Sequence, residues 1–130
     1  MNYKFTKAER ITRKKVIDNL FKQGKRYYGA QLLLYYDIEE GEGLSQVLFS
    51  VPKRKVRRAV DRNRIKRRLR EAYRHTKHVL DSVQNKQFFL TYVYVGKVQN
   101  PPYAQLLDEL SASIQVILRY VEKKQSLLIQ

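Results

Sequence analysis

The sequence predicts an α+β fold, because short aromatic and aliphatic runs of strand character alternate with longer stretches whose apolar residues recur at helical spacing. An apolar fraction of 43% in 130 residues is ordinary for a folded protein. It is enough for one domain over residues 1–130, with roughly two-thirds of the unfolded surface buried. The third observation is the segment from Lys53 to His78. It holds 13 of the 27 Lys and Arg residues against two acids, Asp61 and Glu71, and still repeats apolar residues every three or four positions. Its local charge of +11 is most of the chain's +15; residues 1–26 carry +7, residues 27–52 carry −4 and residues 79–130 carry +1.

Ile11 to Gln23 reads as a first helix, with Ile11, Val16, Leu20 and Phe21 on one face, Thr12 as N-cap and Gly24 as the stop. Tyr27 to Asp37 reads as a strand, Glu39 to Gly43 as an acidic turn, and Leu44 to Val51 as the second strand of a hairpin. Pro52 ends that strand because it has no N–H to give the ladder. In the helix that follows, spacing residues by ~100° puts Ile65, Leu69, Ala72, Tyr73, Thr76, Val79 and Leu80 on a core stripe. Asn63, Lys66, Arg67, Arg70, Arg74 and Lys77 fall on the opposite side, flanked by Arg64, Arg68, Glu71 and His75. Gln87 to Val95 is apolar on both faces, as expected of a central strand in a sheet covered on both sides. Asn100-Pro101-Pro102 opens a last helix with a stripe of Tyr103, Leu107, Leu110, Ile114, Ile117, Leu118 and Val121. The order is helix, two or three strands, helix, strand, helix, which in its three-strand form is αβββαβα. Residues 1–10 and 124–130 are the candidates for flexible ends.

Cysteine is absent, which excludes disulfides and thiolate metal sites. The N-terminus lacks the apolar core of a secretory signal, and no run approaches the ~20 apolar residues of a membrane span. A cytoplasmic protein is the expectation. Cations packed this densely repel one another, so they point to a polyanionic partner. RNA and DNA fit better than an anionic membrane, because the aromatics sit in strand-like runs and not on a basic amphipathic helix. Guanidinium groups suit phosphate, which they engage bidentately. The Asn63 amide fits either a base edge or a plain structural hydrogen bond. Phe88, Phe89, Tyr92 and Tyr94 read as core. His75 and His78 read as surface histidines, and no metal ligands are assigned. Asp61, Glu71, Asp108 and Glu109 form no general acid/base pair, and no nucleophile motif or phosphate-binding glycine loop is present. No catalytic residue is therefore expected on the protein.

The run Arg62-Asn63-Arg64-Ile65-Lys66-Arg67, preceded by Lys53-Arg54 and followed by Arg70-Glu71-Ala72, resembles the signature of the bacterial ribonuclease P protein component. Leu20 to Gly24, Leu33-Leu34-Tyr35 and Phe49 to Lys53 resemble further parts of that family in the same order, so the likeness covers residues 9 to 121. The resemblance implies an α-β sandwich with a left-handed βαβ crossover, where spacing alone favours a right-handed one. It also implies a subunit of an endoribonuclease that removes the 5′ leader of precursor tRNA, with the hydrolysis carried by a catalytic RNA and Mg2+ held mainly by RNA. By the same resemblance Lys53, Arg54, Arg57, Arg58, Arg62, Asn63, Arg64, Lys66, Arg67, Arg70 and Arg74 are the residues that contact the catalytic RNA. Ile17, Phe21, Tyr35 and Phe49 are those of a cleft for the leader. Two departures stand out: Ile17 or Val16 replaces a second aromatic one turn before Phe21, and Arg57-Arg58 stands where some members carry Gly-Asn. The implied partners are the catalytic RNA and precursor tRNA, with no membrane and no protein partner required. Two other readings stay open on composition: a ribosomal or ribosome-associated RNA-binding protein, and a protein-only nuclease, which would need clustered acids or a histidine base.

Overall fold

The computed structural model describes residues 7–11 and 13–129, with side chains described for 8–11 and 13–125. After a 3₁₀ turn at Lys7–Glu9 come α1 (Lys14–Gln23), β1 (Lys25–Tyr28), β2 (Leu32–Glu40), β3 (Gln46–Ser50), α2 (Ala59–Thr76), the short α3 (His78–Asp81), β4 (Lys86–Tyr94) and α4 (Tyr103–Ile129). The predicted α+β class and three strands before the long basic helix are both present. The last helix runs on to Ile129, through the residues past Lys123 whose sequence leaves their structure open. The first helix starts at Lys14 and not at Ile11, because Ile11 is held against the sheet by its N–H bond to the Val47 carbonyl. Thr12 lies outside the described residues; Arg13 takes the N-cap position without a side-chain bond.

The strands form one sheet in the order β1-β2-β4-β3. β2 is antiparallel to both β1 and β4, and β3 is parallel to β4. Two expectations are corrected here. The single strand expected over Tyr27 to Asp37 is two strands, since the chain reverses between Gly29 and Leu32. The Glu109 carboxylate closes that reversal by accepting from the Gln31 N–H at 2.7 Å and the Leu32 N–H at 2.9 Å. A side chain at Gly29 would strike the same carboxylate. The expected hairpin of β2 with β3 is absent, because β4 lies between them. The connecting loop is tied to the start of β4 instead: the Gly41 N–H donates to the Asn85 carbonyl, and the Phe88 N–H to the Ser45 hydroxyl. Gly41 has φ 139°, a conformation that requires glycine. β3, α2 and β4 thus form the parallel βαβ unit that the resemblance implies.

One face of the sheet is sealed. Leu32, Leu34 and Tyr36 of β2, Val47 and Phe49 of β3, and Phe88, Leu90, Tyr92 and Tyr94 of β4 are buried with Ile65, Leu69, Ala72 and Tyr73 of α2 and Leu106, Leu110, Ile114, Ile117 and Val121 of α4. The Tyr92 hydroxyl is satisfied inside this core by the Ser113 hydroxyl at 2.7 Å, and burial pushes the phenol's pKa up, so it stays neutral. The other face is covered only in part, by α1 against β2 and β4. Phe89 and Val93 there are half-buried around the fully buried Thr91, so the expectation that β4 is covered on both sides holds fully for one face and in part for the other. This incomplete cover leaves a cleft.

The long basic helix stops at Thr76, whose hydroxyl donates back to the Ala72 carbonyl at 3.0 Å. Lys77, expected on the outward cationic face, turns inward: its Nζ donates to both Glu9 carboxylate oxygens at 2.9 Å, with 5% and 6% of the two side chains exposed. Removing one partner leaves an uncompensated buried charge. Lys77→Ala should therefore cost about 3–5 kcal/mol in urea unfolding. Lys86→Ala, which breaks a pair with the exposed Glu40, should cost no more than about 1 kcal/mol.

Candidate nucleic-acid interface

α2 builds its cationic face from the same periodicity that seals its other side. Asp61, in the first turn, suits the positive end of the helix dipole and accepts from Arg64 at 3.2 Å, with Arg58 at 3.9 Å. Arg62 bends back over the preceding loop, donating to the Arg57 carbonyl at 2.6 Å and the Val56 carbonyl at 3.1 Å. Arg74 forms a two-point contact with Glu71, which also meets His75 at 3.1 Å. The Arg74 hydrogen bond holds the Glu71 carboxyl below its ordinary value. These arginines keep a charged surface while shaping the loop and helix beneath it.

Lys53, Arg54, Arg57 and Arg58 are exposed on the loop that leads into α2. Asn63 and Arg67 are exposed on the helix, and Lys66 and Arg70 are half-buried beside them; these three cations form no ion pair among the described residues. Burial, with the charge of Arg10 second, pulls the Arg70 guanidinium below its ordinary pKa. Arg68 turns away from this surface. It donates to the Asn100 side chain at 2.6 Å and the Pro101 carbonyl at 2.7 Å, anchoring the entry to α4.

On the sheet's other face, Phe21 of α1 meets Tyr35 of β2 edge-on, with ring centroids 4.7 Å apart. The Arg26 guanidinium lies over the Tyr35 ring at 5.2 Å and reaches the Phe21 carbonyl at 3.4 Å. Its hydrogen bond to Tyr28 raises its pKa, and the Tyr28 ring is 69% exposed. Ile17 is half-buried one turn before Phe21. Further along α1, Val16 and Leu20 line a recess with Phe89, rimmed by Arg13, Asp37 and Glu39. The cleft is therefore cationic and aromatic at the Arg26 end and carries carboxylates at the other.

Of the four expected cleft residues, Phe21 and Tyr35 are in contact, Ile17 lies one helical turn before Phe21, and Phe49 is on the other face. Phe49 points to the sealed face, stacked on Tyr92 at 5.7 Å and edge-on to Tyr73 at 6.1 Å, with 7% of its surface exposed. It is a core residue, because its place in β3 is level with Tyr92 of β4. Arg26 and Tyr28 are the residues that sequence reading missed. Their signal is the alternation of β1, which becomes readable only once Arg26 is known to pair with Tyr35.

An α+β scaffold with a cationic helix on one side and an aromatic, cationic cleft on the other defines a protein built to hold nucleic acid. The family model for ribonuclease P matches residues 5–118. The chain is 49% identical over 118 residues to the ribonuclease P protein component of Chlorobaculum tepidum, covering 82% of this chain and 75% of that one. It is 39% identical over 93 residues to that of Porphyromonas gingivalis, covering 69% and 68%. Among solved structures, the ribonuclease P protein of Staphylococcus aureus superposes with a TM-score of 0.66 at 21% identity, over 85% of this chain and 96% of that one. That of Thermotoga maritima gives 0.64 at 21% identity, over 78% and 91%. The chain belongs to the ribonuclease P protein-component family: it is a subunit of a tRNA-processing ribonucleoprotein endoribonuclease and works with an RNA subunit. Nothing in these comparisons favours a ribosomal protein.

The geometry separates two kinds of arginine by experiment. Arg67→Ala with Arg70→Ala should weaken binding to the RNA subunit and flatten the slope of log affinity against log salt by about 0.7–0.9 for each phosphate no longer neutralised. Arg68→Ala should leave that slope unchanged and lower unfolding stability by about 1–2 kcal/mol.

Proposed function

We propose that this protein helps the catalytic RNA remove the 5′ leader of precursor tRNA, docking on that RNA through the α2 face and gripping the leader in the cleft between α1 and the sheet. The single observation that carries this reading is the division of the surface. The α2 cations lie on the helix-covered side and the Phe21–Tyr35–Arg26 cluster on the opposite side, so two RNA segments can be held at once. Stacking on aromatic rings accepts any base, which suits leaders of varied sequence. The Arg26 end of the cleft favours a phosphate backbone, and Asp37 and Glu39 disfavour it at the far end.

The contribution to catalysis is physical. Cations between two large polyanions lower their repulsion. A cleft for the leader binds a part of the substrate that the mature product lacks, so it raises affinity for substrate without raising affinity for product. Hydrolysis itself is assigned to the RNA. The Mg2+ is likewise assigned mainly to RNA; among the described residues no three His, Asp or Glu side chains gather as candidate metal ligands. No helix among the described residues is long and apolar enough to cross a membrane. The protein is assigned to the cytoplasm, with no protein partner required.

Reconstitution with the cognate catalytic RNA at low magnesium should restore cleavage of precursor tRNA; absence of stimulation rejects the role. The holoenzyme should also bind precursor more tightly than mature tRNA, and Tyr35→Ala should narrow that difference by about fivefold to a hundredfold, the range expected when one stacked base loses its platform. An unchanged difference removes the leader from the cleft.

A further inference from the structure

The edge strand β1 carries cations to both faces of the sheet. Arg26 pairs with Tyr35 and shares its side, that of α1; Lys25 pairs with Tyr36 and shares the side of α4. There the Lys25 ammonium lies over the Tyr120 ring, 5.0 Å from its centroid, and the Lys124 ammonium lies 5.7 Å from the same centroid. Tyr120 is itself placed edge-on against the buried Tyr36 at 6.4 Å. A cleft of about 110 Å³ opens beside the three side chains, with Lys86 and Glu40 on its rim. Lys86 donates to Glu40 at 2.7 Å, and these two charges cancel, so Lys25 and Lys124 set the sign of the cleft.

We infer that Lys25, Tyr120 and Lys124 form a second phosphate-binding subsite, which takes the backbone of single-stranded leader RNA that has passed from the cleft over the β1 edge. The inference rests on the reading of the cleft as the leader's seat. Ammonium groups drawn to an aromatic face are restricted before any ligand arrives, so less side-chain freedom is lost when they meet a phosphate. Such a clamp reads charge and no sequence, as a subsite for varied leaders must. The route is short: β1 has four residues and is the outermost strand, and consecutive residues Lys25 and Arg26 present their charges to opposite faces. The catalytic RNA is the less fitting occupant: α4 packs against both α2 and β2, but α2 meets the sheet at β3, the edge opposite the β1 strand that carries Lys25.

The test uses the reconstituted holoenzyme and precursors whose leaders are lengthened stepwise. For the wild-type protein, affinity should rise again once the leader extends past the cleft. K25E/K124E should lose about tenfold on the longest leaders and less than about twofold on the shortest, while K25Q/K124Q, the milder change, should give the same ranking with a smaller loss. Tyr35→Ala, run in parallel, should act on short and long leaders alike. If the lysine variants bind every leader length as the wild type does while Tyr35→Ala still weakens binding, the second subsite is refuted and the cleft stands. If Tyr35→Ala has no effect on any leader, the cleft reading fails and the path over β1 fails with it. An equal loss on leaderless tRNA would assign the two lysines to another surface and overturn the inference. A photoreactive group at position 124 supplies a second readout: crosslinks to leader nucleotides beyond those reached from position 28 support the path, and crosslinks confined to the catalytic RNA or to added acidic protein overturn it.

Discussion

Thirteen cations within 26 residues push one another apart, and they stay in register because Ile65, Leu69, Ala72 and Tyr73 on the same helix are sealed against β3, β4 and α4. The helix is therefore an anchored rod whose outward side chains occupy set positions. Asp61 and Glu71 relieve part of the repulsion locally, each beside the arginines that would otherwise crowd it. What remains uncompensated, at Lys66, Arg67 and Arg70 and along the loop from Lys53, is a surface whose free energy falls when a polyanion is brought to it. The RNA subunit with which the protein works is the polyanion proposed for it.

A second consequence is that the basic residues divide their labour. Arg62 holds the loop before the helix, Arg68 fastens the entry to α4, and Lys77 is buried with Glu9 and ties the N-terminal turn to the end of α2. These contacts fix where the exposed cations sit. Charge count alone would credit all of them to RNA binding, yet several act by orienting their neighbours. The same holds for acids: Glu109 closes the β1–β2 reversal, and so sets the register that brings Arg26 over Tyr35.

Much of this is legible in the sequence, and what is not has a physical reason. The two faces of α2 follow from a local period of 3.6 residues, so Ile65, Leu69, Arg67 and Arg70 can be placed without knowing anything else. Strand pairing is nonlocal. Nothing near Leu44 to Val51 announces that its neighbour in the sheet is a strand some forty residues away, so a β2–β3 hairpin is the natural but wrong expectation. Phe49 is misplaced for a related reason: which side of a strand faces the cleft depends on register, and register is fixed only by β4. Lys77 continues the cationic period on paper, but the helix ends one residue before it. The break at Gly29 needs Glu109, eighty positions on, to become visible.

The account's central claim is that the α2 face and the α1–sheet cleft address two different RNAs at the same time. Because the chain has no cysteine, a single one can be introduced and labelled without a background, which permits a hydroxyl-radical source to be tethered at Asn63 on one side and at Tyr28 on the other. In the holoenzyme bound to precursor tRNA, the source at position 63 should cut the catalytic RNA and spare the leader, and the source at position 28 should cut the leader. Leader cleavage from position 63, or cleavage of the catalytic RNA alone from both positions, would contradict the account.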